Sequence, residues 1–123
     1  MLNEEECLDF AQRWINAFNS GNLEQVFLLY NDDFTMRSPY IVERCGIETG
    51  VLFGKKEVRP YWMAALGQTP TLHFKLLGVY RGVDSLVVHY ASRGRKVVCE
   101  TFRFDENGLV CAGCSQQGLN LAS

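Results

Sequence analysis

Four strand patterns fill the second half of the chain, and they constrain the fold more than any other feature. "TLHFKLLGVY", "DSLVVHYAS", "RKVVCETFRF" and "LVCAGCSQQ" are separated only by "RGV", "RG" and "DENG". Connections this short join antiparallel neighbours, because a parallel pair needs a crossover of a dozen residues or more. Such a sheet has a face to cover, and the first half of the chain supplies the cover. Cys7, Ala11, Trp14 and Phe18 recur at helical spacing, flanked by Leu8, Phe10 and Ile15. Asn3 before Glu4, Glu5 and Glu6 predicts an N-cap with acids in the first turn, and "NSGN" stops the helix at Gly21. Asn22 predicts the cap of a shorter helix with Leu23, Val26, Phe27 and Tyr30 on its apolar side. "FTMRS" alternates as a strand that Pro39 ends. Residues 40–54 are too apolar for disorder and read as an ordered flap or small hairpin. "GKKEVRPYWMAALG" predicts a third helix, which either starts near Arg59 or kinks at Pro60, since proline lacks an N–H and clashes with the preceding turn. Helices followed by antiparallel strands predict an α+β fold with the helices on one face of the sheet.

The 123 residues suit one core, so residues 1–123 read as a single domain. No apolar run approaches the length of a membrane span. The start, "MLNEEECLDF", is acidic where an export signal is basic and then apolar. Five cysteines, odd in number and without framework spacing, read as reduced thiols in the cytoplasm. A net charge of −2 provides no global field for nucleic acid or an anionic membrane. The one basic cluster, Arg93, Arg95 and Lys96 around Gly94, reads as a solvated hairpin turn. Two histidines are too few for a histidine-rich metal site, and His73 reads as strand surface. Cys111 and Cys114, three apart on a strand, face opposite ways and read as small sheet packers. "GKKE" lacks the upstream glycine and the Ser/Thr of a phosphate-binding loop. No metal, cofactor, nucleic acid or membrane partner is expected.

One residue breaks the apolar pattern. In "VVCETFRFDENG", Val98, Phe102 and Phe104 share one phase of a two-residue alternation, and Glu100 sits in that phase. A carboxyl buried among phenylalanines is disfavoured as the anion, unless a cation or several donors compensate. It can then donate a hydrogen bond to a substrate oxygen or shuttle a proton. Equally, it can pair with His89 or an arginine and satisfy itself, or its face can be the outer one. A two-residue turn at Arg93–Gly94 puts Glu100 opposite Val87, Phe102 opposite Ser85 and Val98 opposite His89, which makes His89 a diagonal neighbour of Glu100. A four-residue turn keeps that parity; a three-residue turn destroys it. In the even register the other face carries Leu86, Val88, Tyr90, Cys99, Thr101 and Arg103. That mixture is too apolar for a solvated face and too polar for a core, and it fits a homodimer contact. Trp14, Phe18, Tyr30, Tyr61 and Trp62 read as core aromatics or as the walls of a pocket beside the acid.

The order and spacing of "FAQRWINAFNSGNLEQVFLLYNDDFTMRSP", "LFGKKEVRPYWMAAL" and "CETFRFDENGLV" resemble the nuclear transport factor 2-like superfamily, which includes SnoaL-like polyketide cyclases and ketosteroid isomerases. The matching words span nearly the whole chain. The resemblance implies a cone, the cystatin-like α+β barrel: a strongly curved, mostly antiparallel sheet wrapped around about three N-terminal helices, with a pocket at its open end. By the same resemblance, the isomerases' oxyanion tyrosine falls at Trp14, their catalytic aspartate at Ser38 and their protonated aspartate at Glu100. Supporting tyrosines fall at Tyr30 and at Trp62, beside Tyr61. Serine cannot abstract a proton at neutral pH without a base beside it. Tryptophan donates one N–H and cannot accept. The isomerases' own mechanism is therefore not expected. What the resemblance leaves is a pocket protein for a small apolar, oxygen-bearing ligand. It would be an isomerase, cyclase or dehydratase using Glu100 as the hydrogen-bonding acid, with His89 or Tyr30 assisting. The alternative is a non-catalytic ligand-binding or protein-interaction domain. Trp14, Phe18, Ser38, Tyr61, Trp62, Val87, Val98 and Phe102 would line the pocket, and residues 40–54 would lid it or pack in a homodimer.

Overall fold

The structure, a computed structural model, describes residues 1–68, 73–92 and 96–121. Asn3 caps α1 (Glu4–Asn19): its Oδ1 accepts from the Glu6 N–H at 2.8 Å, while Glu6 Oε1 accepts from the Asn3 N–H at 3.0 Å. The predicted stripe of Cys7, Phe10, Ala11, Trp14, Ile15 and Phe18 is buried. The chain reverses through Gly21, at φ 73°, and Asn22 caps α2 (Leu23–Phe27) by accepting from the Glu24 N–H. β1 (Tyr30–Arg37) begins earlier than its alternation suggests, because Tyr30 already pairs with Val110.

Residues 40–54 are not a hairpin. Pro39–Cys45 form a helix, α3, and Val51–Phe53 form β2, paired antiparallel with β1. The local signals for a helix are strong. Ser38 Oγ accepts from the Tyr40 N–H at 3.1 Å, Pro39 occupies the first helical position, where an N–H has no partner to lose, and Gly46 closes the helix in the left-handed region at φ 67°. α4 (Gly54–Gln68) starts five residues before Arg59 and runs through Pro60. Val58 and Trp62, both buried, hold the helix down on either side of the missing hydrogen bond.

The remaining strands are β3 (Lys75–Arg81), β4 (Leu86–Ala91), β5 (Val97–Phe104) and β6 (Val110–Gln117). They join a six-stranded sheet of order β2-β1-β6-β5-β4-β3, antiparallel except for β1 beside β6. "DENG" closes the β5–β6 turn, with the Asp105 carboxylate accepting from the Asn107 and Leu109 N–H groups. Irregularities in the β1–β6, β3–β4 and β5–β6 ladders bend the sheet around the helices. No helix among the described residues is long and apolar enough to cross a membrane.

The β4–β5 register corrects the even-turn expectation. Ala91 pairs with Val97, and the Ser92 N–H donates to Lys96 O, so an odd number of residues separates the strands. Three of the five, Arg93, Gly94 and Arg95 of the basic cluster, lie outside the described residues. Val88, not Val87, therefore pairs with Glu100, and His89 pairs with Cys99. A slip of one residue exchanges the two faces of a strand. Leu86, Val88 and Tyr90 turn out to be buried beneath the helices rather than on the outer face. Val87 and His89 move to the outer face with Cys99, Thr101 and Arg103.

Candidate functional site

A cavity of about 260 Å³ opens between the helices and the concave face of the sheet. Its floor is Glu100, only 4% exposed. The residue projects from the middle of β5, between Val88 on β4 and Ser115 on β6. Two hydroxyls converge on one carboxyl oxygen. Ser115 Oγ donates to Glu100 Oε1 from directly across the ladder, and Tyr90 Oη donates to the same atom at 3.2 Å from two residues further along β4. Among the described residues Oε2 has no protein partner, and Glu100 lines the cavity. Burial raises the carboxyl pKa to about 7, against the opposing pull of the Ser115 and Tyr90 donors. Burial, with the Glu100 charge adding to it, likewise pushes the Tyr90 and Tyr30 hydroxyls well above the usual tyrosine range.

Aromatic rings make the walls. The Trp14 ring packs against Phe18, Phe74, Tyr90 and Phe102 at centroid distances of 4.8–5.8 Å. Its Nε1–H donates to Tyr30 Oη at 2.9 Å. Phe74 is held in place by Asn19, whose side chain donates to Phe74 O at 2.9 Å and accepts from the Phe74 N–H. Trp62 packs edge-on against Phe18 at 5.3 Å, and Met36, Leu66 and Val98 complete the apolar lining. The mouth is of different chemistry: Tyr40 and Arg44 of α3, Tyr61 of α4, and Ser92 and Lys96 at the ends of β4 and β5. Tyr61 is half-buried; burial raises its pKa, and a hydrogen bond with Ser38 opposes the rise.

Of the sequence-derived candidates, Glu100, Trp14, Phe18, Tyr61, Trp62 and Val98 line the cavity together. The others do not. His89 lies on the outer face, its Nδ1 3.3 Å from Tyr80 Oη, because the odd register turns it away from Glu100. Val87 is on that outer face for the same reason. Tyr30 sits behind the wall, its Oη accepting from the Trp14 Nε1–H and its ring packed against Trp62, and does not itself line the cavity. Ser38 is buried as the N-cap of α3. Phe102 points inward but is packed under Phe10 and Trp14. Sequence reasoning missed Tyr90 and Ser115, although the odd-turn alternative carried the signal for Tyr90. It also missed Arg44, Lys96 and Tyr40, which only the tertiary placement of α3 near Lys96 brings together.

A family model described as SnoaL-like domain matches residues 11–114. Among solved structures, the chain is similar to a SnoaL-like protein of unknown function from Burkholderia thailandensis E264: TM-score 0.92 and 33% identity, over 94% of this chain and 97% of that one. Two more distant structures share the fold. One is SalBIII, an epoxide hydrolase/cyclase-like enzyme with a role in pyran ring formation in the polyether salinomycin (TM-score 0.72, 14% identity, 97% and 95% coverage). The other is a protein of unknown function with a cystatin-like fold from Methylobium petroleophilum PM1 (TM-score 0.73, 12% identity, 98% and 81% coverage). No curated protein matches the chain.

Proposed function

The chain belongs to the SnoaL-like family of the nuclear transport factor 2-like fold, and from that premise we propose that its cavity binds a small apolar molecule carrying a carbonyl or hydroxyl oxygen. Glu100 is the acid that hydrogen-bonds that oxygen. The observation that carries this reading is the free Oε2 on the cavity floor, beside an Oε1 held by Tyr90 and Ser115. Two donors on Oε1 leave the proton of the neutral acid on Oε2, facing the ligand. With a pKa of about 7, both protonation states are populated near neutrality, so the same group can give a proton and take one back. That suits isomerisation, dehydration or ring closure through an enol-like species, and the ring-forming role of the distant SalBIII agrees with it. A non-catalytic binder is the second reading. It is favoured by the absence of a further acid or a histidine among the described residues lining the cavity.

The test uses 2-tetralone and its hydrocarbon analogue tetralin. Wild type should bind the ketone more tightly, Glu100→Gln should retain the preference and Glu100→Leu should abolish it. A preference that survives in Glu100→Leu would remove Glu100 from the site. Deuterium exchange from solvent into the ketone's α-carbon, followed by NMR, separates the two readings: exchange accelerated by wild type and lost in Glu100→Gln marks a catalyst, and binding without exchange marks a binder.

The outer sheet face supports a homodimer as part of this proposal. Val87, His89, Cys99, Thr101 and Cys114 are half-exposed there. Sedimentation at micromolar concentration should give twice the chain mass, and Thr101→Arg should return it to one. Five unpaired cysteines fit a reducing compartment such as the cytoplasm.

A further inference from the structure

We infer that the ligand of this cavity is an anion: an apolar body with its oxygen at Glu100 and a negatively charged group at the mouth, between Arg44 and Lys96. The inference rests on the pocket reading above and adds the charge and orientation of what fills it. Arg44 comes from α3 and Lys96 from the start of the β5 region, more than fifty residues apart, yet both lie over one ring. The Arg44 guanidinium is 4.9 Å from the Tyr40 centroid and the Lys96 ammonium 5.8 Å from it. Among the described residues, neither has a carboxylate within 4 Å. Segments 69–72, 93–95 and 122–123 contain no Asp or Glu side chain. The described cavity lining holds a single acid, Glu100, which is buried where Arg44 and Lys96 are exposed.

Two cations gathered at one rim repel each other, and the Tyr40 ring face offsets only part of that. An anion between them turns the repulsion into two attractions. The location favours the exchange, because a charged group at the mouth keeps part of its hydration while its apolar body is dry. The floor opposes the reverse orientation, since an anionic group beside a partly ionised Glu100 is repelled in a low-dielectric site. The cavity is thus polarised along its length, with an acid at the bottom, aromatic walls, and cations and hydroxyls at the top.

Both tryptophans of the chain, Trp14 and Trp62, line the cavity, so energy transfer from them reports occupancy. The probes are 8-anilinonaphthalene-1-sulfonate and N-phenyl-1-naphthylamine, which differ by the sulfonate alone. Wild type should bind the sulfonate on the order of tenfold more tightly, a preference that weakens with salt, as for two partly exposed charge pairs. Arg44→Ala/Lys96→Ala should erase the preference, bringing the sulfonate down to the affinity that the same variant shows for the neutral probe. Equal binding of the two probes by wild type, or a preference that survives in the double variant, would overturn the anion inference while the pocket reading stands. Failure of wild type to bind either probe would overturn both.

Discussion

At the floor of the cavity one carboxyl is enclosed by protein and held by two hydroxyls; at the mouth two cations stand in solvent over a single tyrosine ring. Both ends are polar, but water makes them unequal. At the floor burial strips away most of the water that would stabilise an ionised Glu100, so folding and protonation are coupled. At the mouth solvent screens each charge, so the cations bear on what binds there and little on whether the chain folds. Ion pairs elsewhere on the surface, such as Arg103 with Asp84 at 2.7 Å, belong with the mouth in this respect.

The strongest way to break the comparison is to remove the wall on which the floor depends. Trp14→Ala should lower stability by about 3–5 kcal/mol in urea denaturation, because a fully packed indole touching four other rings leaves a void that cannot collapse. The next effect is a pH dependence. The Glu100 pKa is raised in the folded protein, from 4.5 to about 7, so the folded state holds the proton more tightly than the unfolded chain. Stability is therefore complete below about pH 4.5 and falls as the pH rises towards 7, by roughly 3 kcal/mol from this group. Glu100→Gln should remove that decline; identical slopes for the two proteins across this window would contradict the buried acid. Ser115→Ala takes one donor from the carboxylate. Its cost should be roughly 1.5–3 kcal/mol at pH 8, where the hydrogen bond serves an anion, and about 1 kcal/mol at pH 5, where it serves a neutral acid. The smallest effect sharpens the contrast from the other side. Arg44→Ala and Lys96→Ala should each stay within about 0.5 kcal/mol of wild type in thermal unfolding, since both side chains are exposed. A larger loss would mean that the mouth is structural after all.

Much of this architecture was legible in the order of residues. The stripe on α1, both asparagine caps, the DENG turn and the inward phase of Val98, Glu100 and Phe102 all follow from local rules, and all stand in the structure. The flap was legible in part. Ser38, Pro39 and Gly46 carry the start and stop signals of a helix, but the apolar run through Val51, Leu52 and Phe53 drew the reading towards a hairpin. His89 was misplaced by a single count. Its side is set by the number of residues between β4 and β5, and glycine between two arginines does not fix that number.

What the sequence by itself determined is that an acid on the third of four consecutive strands shares one strand face with Val98 and Phe102, because side-chain alternation along a strand is a local property of the chain. What only the tertiary structure decided is the company this acid keeps. Ser115 faces it because β6 pairs beside β5, Tyr90 because the β4–β5 register is odd, and Arg44 and Lys96 lie above it because α3 packs over the open end. Each of these neighbours depends on a pairing between distant segments, and a strand's alternation is equally satisfied in either register until the surrounding layers choose which face is buried.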